Sequence, residues 1–220
     1  MKISFIGYGS MAESLSSRWV GKHELFIGGR DPHKAQVLAD KLAQGTKAGS
    51  EVEAVDFGEV IVLATPHEAV FEAMNAAGGA NAFANKLLLD INNPVDFSNG
   101  NYLTKAYDGQ SLSEAIAAYA LQAKVVKAFN MCQAKVWQME PPLFDNRRLV
   151  TLYCGDDATA KRQVASLIED VGSEPVDLGE LKYARLLEPA AAIVIKLLFS
   201  GRDPYTVLNL IQPEVKPISS

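Results

Sequence analysis

The sequence lacks the features of a secreted, nucleic-acid-binding or metal-binding protein. It contains two cysteines, Cys132 and Cys154, which stand apart and do not have the spacing of a disulfide framework or a metal site. Acidic residues outnumber basic ones by 26 to 21, so no general basic surface is available for nucleic acid or an anionic membrane. The apolar part of Met1–Gly7 is too short for a secretory signal. We therefore expect a protein of the reducing cytoplasm, with no nucleic-acid partner and no metal.

Long apolar runs are also missing. The longest, Leu186–Phe199, contains Glu188, Pro189 and Lys196, so it is not a spanning helix of about 20 apolar residues. We expect no membrane partner. A chain of 220 residues can bury one full core but not two domains of comparable size. The length predicts a principal domain of residues 1–180 and a small C-terminal helical segment of residues 181–220.

A glycine turn follows the first apolar strand of the sequence. Lys2–Ile6 runs directly into Gly-x-Gly-x-x-Ala, and a helical pattern follows. Gly7 permits the tight turn, Gly9 lets backbone N–H groups approach a pyrophosphate, and Ala12 lets the helix pack closely on the strand. The motif predicts a dinucleotide site in this turn. Its cofactor-binding residues are Gly7, Tyr8, Gly9, Ser10 and Met11.

The second strand lacks the carboxylate that usually binds an unphosphorylated ribose. Glu24–Ile27 ends in two glycines, which leave room for a phosphate, and Gly29 is followed by Arg30 and Lys34, one helical turn apart. Two cations at one point favour the 2′-phosphate of NADP. The alternative is that Arg30 and Lys34 are ordinary surface charges and that Asp31 serves as a displaced ribose carboxylate.

Strands and helices alternate over the first 130 residues. The apolar strand patterns after the glycine turn are Val60–Ala64, Lys86–Ile91 and Lys124–Phe129, and helical patterns at Glu68–Ala77 and Ser111–Leu121 lie between them. Continuous apolar strands are typical of a parallel sheet that is covered on both faces. A strand over Arg148–Cys154, a helix over Asp156–Val171 and a strand over Glu174–Leu178 follow, whereas Gly45–Gly49 has the composition of a turn. The order predicts an α/β fold, a Rossmann-type doubly wound and mostly parallel sheet with a small C-terminal helical appendage.

In such a sheet, ligands bind beyond the carboxyl ends of the strands. Besides the glycine turn, the residues predicted at these ends are Gly29, Arg30, Ala64, Thr65, Pro66, His67, Asn93, Pro94, Asn130 and Met131. His67 is a candidate to orient the cofactor or to act as an acid. The alternative is that it faces solvent at the start of a helix.

The acid–base pair of many dehydrogenases is not visible. Tyr119 and Lys124 are five residues apart, and Tyr102 and Lys105 are three apart, so neither forms a Tyr-x-x-x-Lys pair on a helix. A site with few proton-transfer groups suits hydride exchange between two cofactor rings, in which positioning and exclusion of water supply most of the rate.

Five segments, in the same order, resemble the NADPH-dependent reductases of the deazaflavin coenzyme, a family related to the cytosolic domains of transmembrane ferric reductases. They are Gly29–Lys34, Val60–Pro66, Lys124–Asn130, Cys154–Asp157 and Pro175–Pro189. The resemblance implies an enzyme that transfers a hydride between NADP(H) and a flavin or deazaflavin ring. It places NADP(H) on Tyr8–Met11, Arg30 and Lys34, and the second ring over Pro66 and Asn130. Gly29 stands where the family usually has serine, and Met131–Gln133 replaces a Thr-Ile-Pro-like stretch.

Two other functions stay open. Phe5–Glu13 is also similar to the start of the pyrroline-5-carboxylate reductases, and Ser200–Tyr205 has a weak likeness to their substrate loop, which would make the protein an imine reductase. A protein that binds NADP(H) without turnover and signals to a partner would need the same cofactor site and few catalytic groups.

The C-terminal segment predicts a homodimer. Leu181–Phe199 carries apolar residues around most of its circumference, so its own sheet cannot cover them all. Pro189 is expected to bend or interrupt this helix and to divide it between the domain and a partner subunit. The alternative is that Pro204–Ile211 folds back and covers the exposed face.

Overall fold

The protein has a central eight-stranded sheet with helices on both faces. The computed structural model describes residues 1–144 and 146–202. The strands are Lys2–Ile6 (β1), Glu24–Gly28 (β2), Lys47–Gly49 (β3), Val60–Leu63 (β4), Leu87–Asp90 (β5), Val95–Asp96 (β6), Leu103–Thr104 (β7), Lys124–Lys127 (β8), Leu143–Phe144 (β9), Arg147–Arg148 (β10), Val150–Gly155 (β11) and Glu174–Asp177 (β12). Two pairs, β6 with β7 and β9 with β10, are small antiparallel hairpins outside the main sheet.

The helices connect the strands. The α-helices are Ser10–Trp19 (α1), Pro32–Leu42 (α2), Glu51–Phe57 (α3), Val70–Ala76 (α4), Leu112–Tyr119 (α5), Ala134–Trp137 (α6), Ala158–Asp170 (α7) and Ala184–Phe199 (α8). Short 3-10 helices cover His67–Ala69, Ala80–Phe83, Ser98–Gly100 and Leu181–Tyr183. Capping boxes begin two of the α-helices, with Ser50 and Glu53 at α3 and with Ser111 and Glu114 at α5.

Both faces of the sheet are buried because alternate residues of each central strand enter different cores. Val60 and Val62 of β4 pack in the core that includes residues of α1, α2 and α7. Ile61 and Leu63 of the same strand pack in the core that includes residues of α4 and α5. A strand buried on both faces needs apolar residues at every position, which explains the continuous apolar patterns.

The strand order places a topological switch point between β1 and β4. The order across the main sheet is β12-β11-β8-β5-β4-β1-β2-β3, so the chain moves outward from β1 to β3 and then returns to the other side of β1. In a sheet of this type, ligands bind beyond the carboxyl ends of the strands at the switch point, which here is formed by the loops after β1 and β4. At the far side, β11 runs antiparallel to β8, and β12 is parallel to β11.

Three details differ from expectation. Lys47–Gly49 lies in the predicted turn region but pairs with β2 as an edge strand. The strand predicted over Arg148–Cys154 is divided between β10 and β11. The predicted interruption at Pro189 is wrong, because α8 is continuous from Ala184 to Phe199. Leu187 and Ala191, one turn apart on either side of the proline, are both buried, and this packing compensates for the missing backbone donor.

Two further observations concern the C-terminal part and membranes. The segment Pro204–Ile211, and the end of the Ser200–Tyr205 likeness, lie outside the described residues. Among the helices of the described ranges, none is both long and apolar enough to cross a bilayer.

Candidate functional site

The glycine turn after β1 is shaped by contact with the loop after β4. Gly7 has φ +120°, and a Cβ there would lie 2.4 Å from the carbonyl oxygen of Ala64. Only glycine fits both the conformation and the space. At Gly9 a Cβ would meet no heavy atom of the described residues within 4 Å, so this part of the turn faces open space.

Helix α1 begins directly after this open space. Gly9 is its N-cap residue and supplies no side-chain hydrogen bond, and the first amide bonded within the helix is that of Glu13, which donates to the Gly9 carbonyl oxygen at 3.0 Å. The amides of Ser10 and Met11 precede that bond and have no acceptor in the helix. Free amides and the positive end of the helix dipole together suit a phosphate.

Tyr8 covers the end of β2. A Cβ at Gly29 would lie 2.6 Å from the Tyr8 ring, so the ring packs directly on the Gly29 backbone. This contact accounts for glycine at the position where the resemblance leads us to expect serine, since a larger residue would displace the ring.

The predicted cation pair lies on the surface beyond β2. Arg30 is exposed, and within residues 1–144 and 146–202 no hydrogen bond or ion pair engages its guanidinium. Lys34 has its Nζ 3.9 Å from the carboxylate of Asp31. That carboxylate caps α2, accepting from the amides of His33 at 3.1 Å and Lys34 at 3.3 Å. Asp31 is thus engaged as a helix cap, which weakens the alternative that it binds a ribose.

The loop after β4 has two buried polar atoms that find no hydrogen-bond partner among the described residues. They are Oγ1 of Thr65 and Nε2 of His67. His67 is 6% exposed, and its Nδ1 lies 3.1 Å from the Glu68 carboxylate. The alternative of a solvent-facing histidine is therefore wrong, and burial lowers the pKa of His67. Pro66, between these two residues, is exposed, and Ala64 is half-buried.

Asn93 and Asn130 hold each other at the ends of β5 and β8. Asn93 Nδ2 donates to the Asn130 carbonyl oxygen at 2.7 Å, and Asn130 Nδ2 donates to Asn93 Oδ1 at 3.0 Å. Asn130 Nδ2 also donates to the carbonyl oxygen of Leu187 in α8 at 3.0 Å. Phe129, just before Asn130, has φ +60°, an uncommon conformation for a bulky residue that often marks a functional position.

The remaining predicted residues also lie at this edge of the sheet. Pro94 is buried after Asn93, and Met131 is half-buried and packs beside Leu187. Oδ1 of Asn130 is buried and has no hydrogen-bond partner in the part of the chain that the structure describes. Buried polar atoms are usually paired, so the unpaired atoms of Thr65, His67 and Asn130 fit the polar end of a ligand. With the open turn at Gly9, the residues present fit a dinucleotide.

A buried charge cluster of Asp90, Lys127 and Glu188 lies directly under this edge, and the sequence reasoning missed it. Lys127 Nζ is 2.9 Å from Asp90 Oδ2 and 3.0 Å from Glu188 Oε1, and all three side chains are at most 2% exposed. Lys127 also donates to the carbonyl oxygen of Asn92 at 2.5 Å. A lysine in an apolar strand and a glutamate in an apolar helix are the signals that could have indicated it.

The two thiols are poor nucleophiles. Burial raises the pKa of Cys132 to about 11 and that of Cys154 to about 12, so both are protonated at neutral pH. Within the described residues, no group of three or more His, Cys, Asp or Glu side chains is arranged to hold a metal ion.

Comparison with known proteins finds similarity to NADP-dependent oxidoreductases. Residues 2–94 match the model of the family described as NADP oxidoreductase, coenzyme F420-dependent. The chain is also 34% identical over 210 residues to the metalloreductase STEAP3 of Rattus norvegicus, an alignment that covers 95% of this chain and 39% of that protein. Over residues 2–94 the chain is therefore similar to a family of NADP oxidoreductases. It spans about two fifths of the length of the metalloreductase.

Solved structures share the fold of the chain. A protein of Arthrobacter sp. FB24, named as a candidate F420-dependent NADP reductase, superposes with a TM-score of 0.82 at 29% identity, covering 92% of this chain and 96% of that one. A reductive aminase of Aspergillus terreus, in complex with NADPH and ethyl-5-oxohexanoate, has a TM-score of 0.66 at 19% identity and covers 91% of this chain and 62% of its own. The second similarity shows the fold alone.

Proposed function

We propose that the protein is a member of this family of NADP oxidoreductases and transfers a hydride between the nicotinamide of NADP(H) and a flavin or deazaflavin ring. The observation that carries the proposal is the carboxyl edge of the sheet, where an open phosphate turn adjoins buried polar atoms without partners. When bound, the nicotinamide supplies the hydride. The protein's part is to bind, orient and exclude water.

Each group of residues has a distinct part in this proposal. Gly7, Tyr8, Gly9, Ser10 and Met11 hold the pyrophosphate, and Gly29, Arg30 and Lys34 hold the 2′-phosphate. Ala64, Thr65, Pro66, His67, Asn93, Pro94, Asn130 and Met131 form the nicotinamide end and the floor of the acceptor pocket. The paired side chains of Asn93 and Asn130 are rigid, so the unpaired Asn130 Oδ1 is held in one place and can accept a hydrogen bond there.

A spectrophotometric screen of NADPH oxidation tests the reaction. Flavins, deazaflavins, quinones and small cyclic imines are offered to the full chain as hydride acceptors, with a ferric chelate as a further arm. We expect turnover with a flavin or deazaflavin. Turnover with an imine alone would favour an imine reductase, and tight NADPH binding without turnover of any acceptor would favour a sensor.

Arg30→Ala tests the cofactor preference. Loss of a charge-assisted phosphate contact should weaken NADPH binding by about 1.5–3 kcal/mol and leave NADH binding nearly unchanged. Isothermal titration calorimetry with both cofactors measures the difference. Arg162→Ala, which removes an exposed arginine of α7, is the matched control and should affect neither cofactor. Equal losses for NADPH and NADH in Arg30→Ala would contradict a phosphate role.

We propose that residues 1–180 form the NADP-binding domain and that residues 181–220 mediate a homodimer. Three large apolar side chains of α8 are more than half exposed: Leu186 at 62%, Ile193 at 51% and Phe199 at 68%. Ile193→Glu should convert a dimer to a monomer in sedimentation equilibrium at micromolar concentration. Val37→Glu, at an exposed apolar position of α2, is the control and should leave the dimer intact. A wild-type chain of monomer mass would rule the dimer out.

We also propose a cytoplasmic location. Cys132 and Cys154 are both free thiols, and free thiols persist in a reducing compartment.

A further inference from the structure

The hydrogen bonds of the buried charge cluster identify the ionisation state of each member. Asp90 accepts from the Asn92 amide at 3.0 Å, the Asn92 side-chain amide at 3.0 Å, the Ser113 hydroxyl at 2.6 Å and Lys127 Nζ at 2.9 Å. Glu188 accepts from the amides of Leu112 and Ser113 and from Lys127. Every neighbour in these contacts is placed to donate, an arrangement that favours the carboxylate form of both side chains over the neutral acid.

Lys127 is the single cation of the cluster. Its three bonds go to acceptors, namely Asp90 Oδ2, the Asn92 carbonyl oxygen and Glu188 Oε1, which uses every proton of an ammonium group. Two carboxylates and one ammonium give a buried net charge of −1. The amide end of α5, which meets Glu188, offsets about half of a charge, so the cluster as a whole stays negative.

This negative cluster lies at the carboxyl edge of the sheet. Asp90 is the last residue of β5 and Lys127 is the last of β8. Lys127 binds the carbonyl oxygen of Asn92, and the next residue, Asn93, is paired with Asn130. Burial raises the pKa of Tyr107 in the loop after β7, and the charges of Glu188, Glu68 and Asp90 raise it further.

We propose that the negative charges of Asp90 and Glu188 stabilise bound NADP⁺ relative to bound NADPH. This difference makes bound NADPH a stronger hydride donor. The nicotinamide ring is neutral in NADPH and carries one positive charge in NADP⁺, and a fixed negative charge in a dry interior interacts only with the charged form. This inference depends on the proposed function, because it requires the nicotinamide to lie at the Asn93 and Asn130 edge.

The test compares the dissociation constants of NADP⁺ and NADPH for the full chain by calorimetry. Glu188→Gln removes one negative charge from the cluster. It should raise the ratio of the NADP⁺ dissociation constant to the NADPH dissociation constant about five- to twentyfold, which is the effect of one charge acting through protein with an effective dielectric constant of about 20. Glu180→Gln removes the same charge from an exposed side chain next to Lys182, and should leave the ratio unchanged.

The outcomes separate this inference from the proposed function. A folded Glu188→Gln protein that binds both cofactors more weakly by the same factor would show a structural role only and overturn the inference. If that variant does not fold in a thermal melt, Asp90→Asn provides the same charge change, and an unchanged ratio there would also overturn it. Failure of the wild-type chain to bind either cofactor would instead overturn the proposed function, and the inference with it.

Discussion

Gly7→Ala is expected to lower the free energy of unfolding by about 2–6 kcal/mol, the sum of a strained backbone and a steric overlap. The backbone at Gly7 has φ +120°, which an L-residue rarely adopts, and the new Cβ would lie 2.4 Å from the Ala64 carbonyl oxygen. That oxygen belongs to the backbone after β4, so the overlap cannot be relieved by rotation of a side chain. Since whole domains are stable by about 5–15 kcal/mol, the variant should be marginal or unfolded at 37 °C.

Gly9→Ala is the matched control for this change. Gly9 has φ −78°, which alanine adopts without strain, and its Cβ would point into open space. Urea denaturation should therefore show stability within about 0.5 kcal/mol of the wild type, whereas NADPH binding should be strongly weakened if the pyrophosphate occupies that space. Equal stability of Gly7→Ala and the wild type would show that the turn does not depend on glycine at residue 7.

The main features of the fold could be predicted because they depend on local patterns. The continuous apolar runs identified β4, β5 and β8. The direction of β11 could not be predicted in this way. It runs antiparallel to β8, and an apolar strand has the same sequence pattern whichever way it pairs.

The buried charge cluster could not be predicted from the sequence either, because local patterns do not show which distant residues come together. Lys124 and Lys127 stand at the two ends of one short strand, yet the first is exposed and the second is fully buried. The difference comes from partners 37 residues away at Asp90 and 61 residues away at Glu188. The burial of His67 depends on tertiary packing in the same way, since histidine is intermediate between buried and exposed residue types.

Lys127→Met should lower the free energy of unfolding by about 3–5 kcal/mol at pH 7, because it leaves buried carboxylates without their cation. Burial lowers the pKa of Lys127, but Asp90 and Glu188 raise it by more, so the wild type keeps the ammonium. The contribution of this ammonium to the free energy of unfolding is lost only as the pH rises through the raised pKa. Lys86→Met is the control: Lys86 is half-buried and donates to the Gly58 carbonyl oxygen at 2.8 Å, and its loss should cost about 1 kcal/mol.

The loss in Lys127→Met should also depend on pH in a definite direction. Burial already raises the pKa of Glu188, and removal of the ammonium raises it further. As the pH falls, Glu188 therefore takes up a proton in the folded variant before it does so in the unfolded chain. The difference in free energy of unfolding between the variant and the wild type should shrink between pH 7 and pH 5. Urea denaturation at both pH values measures this change. The double variant Lys127→Met/Glu188→Gln should be more stable than Lys127→Met at pH 7, because it buries one uncompensated charge fewer. A double variant that is less stable would show that the carboxylates do not repel each other in this interior.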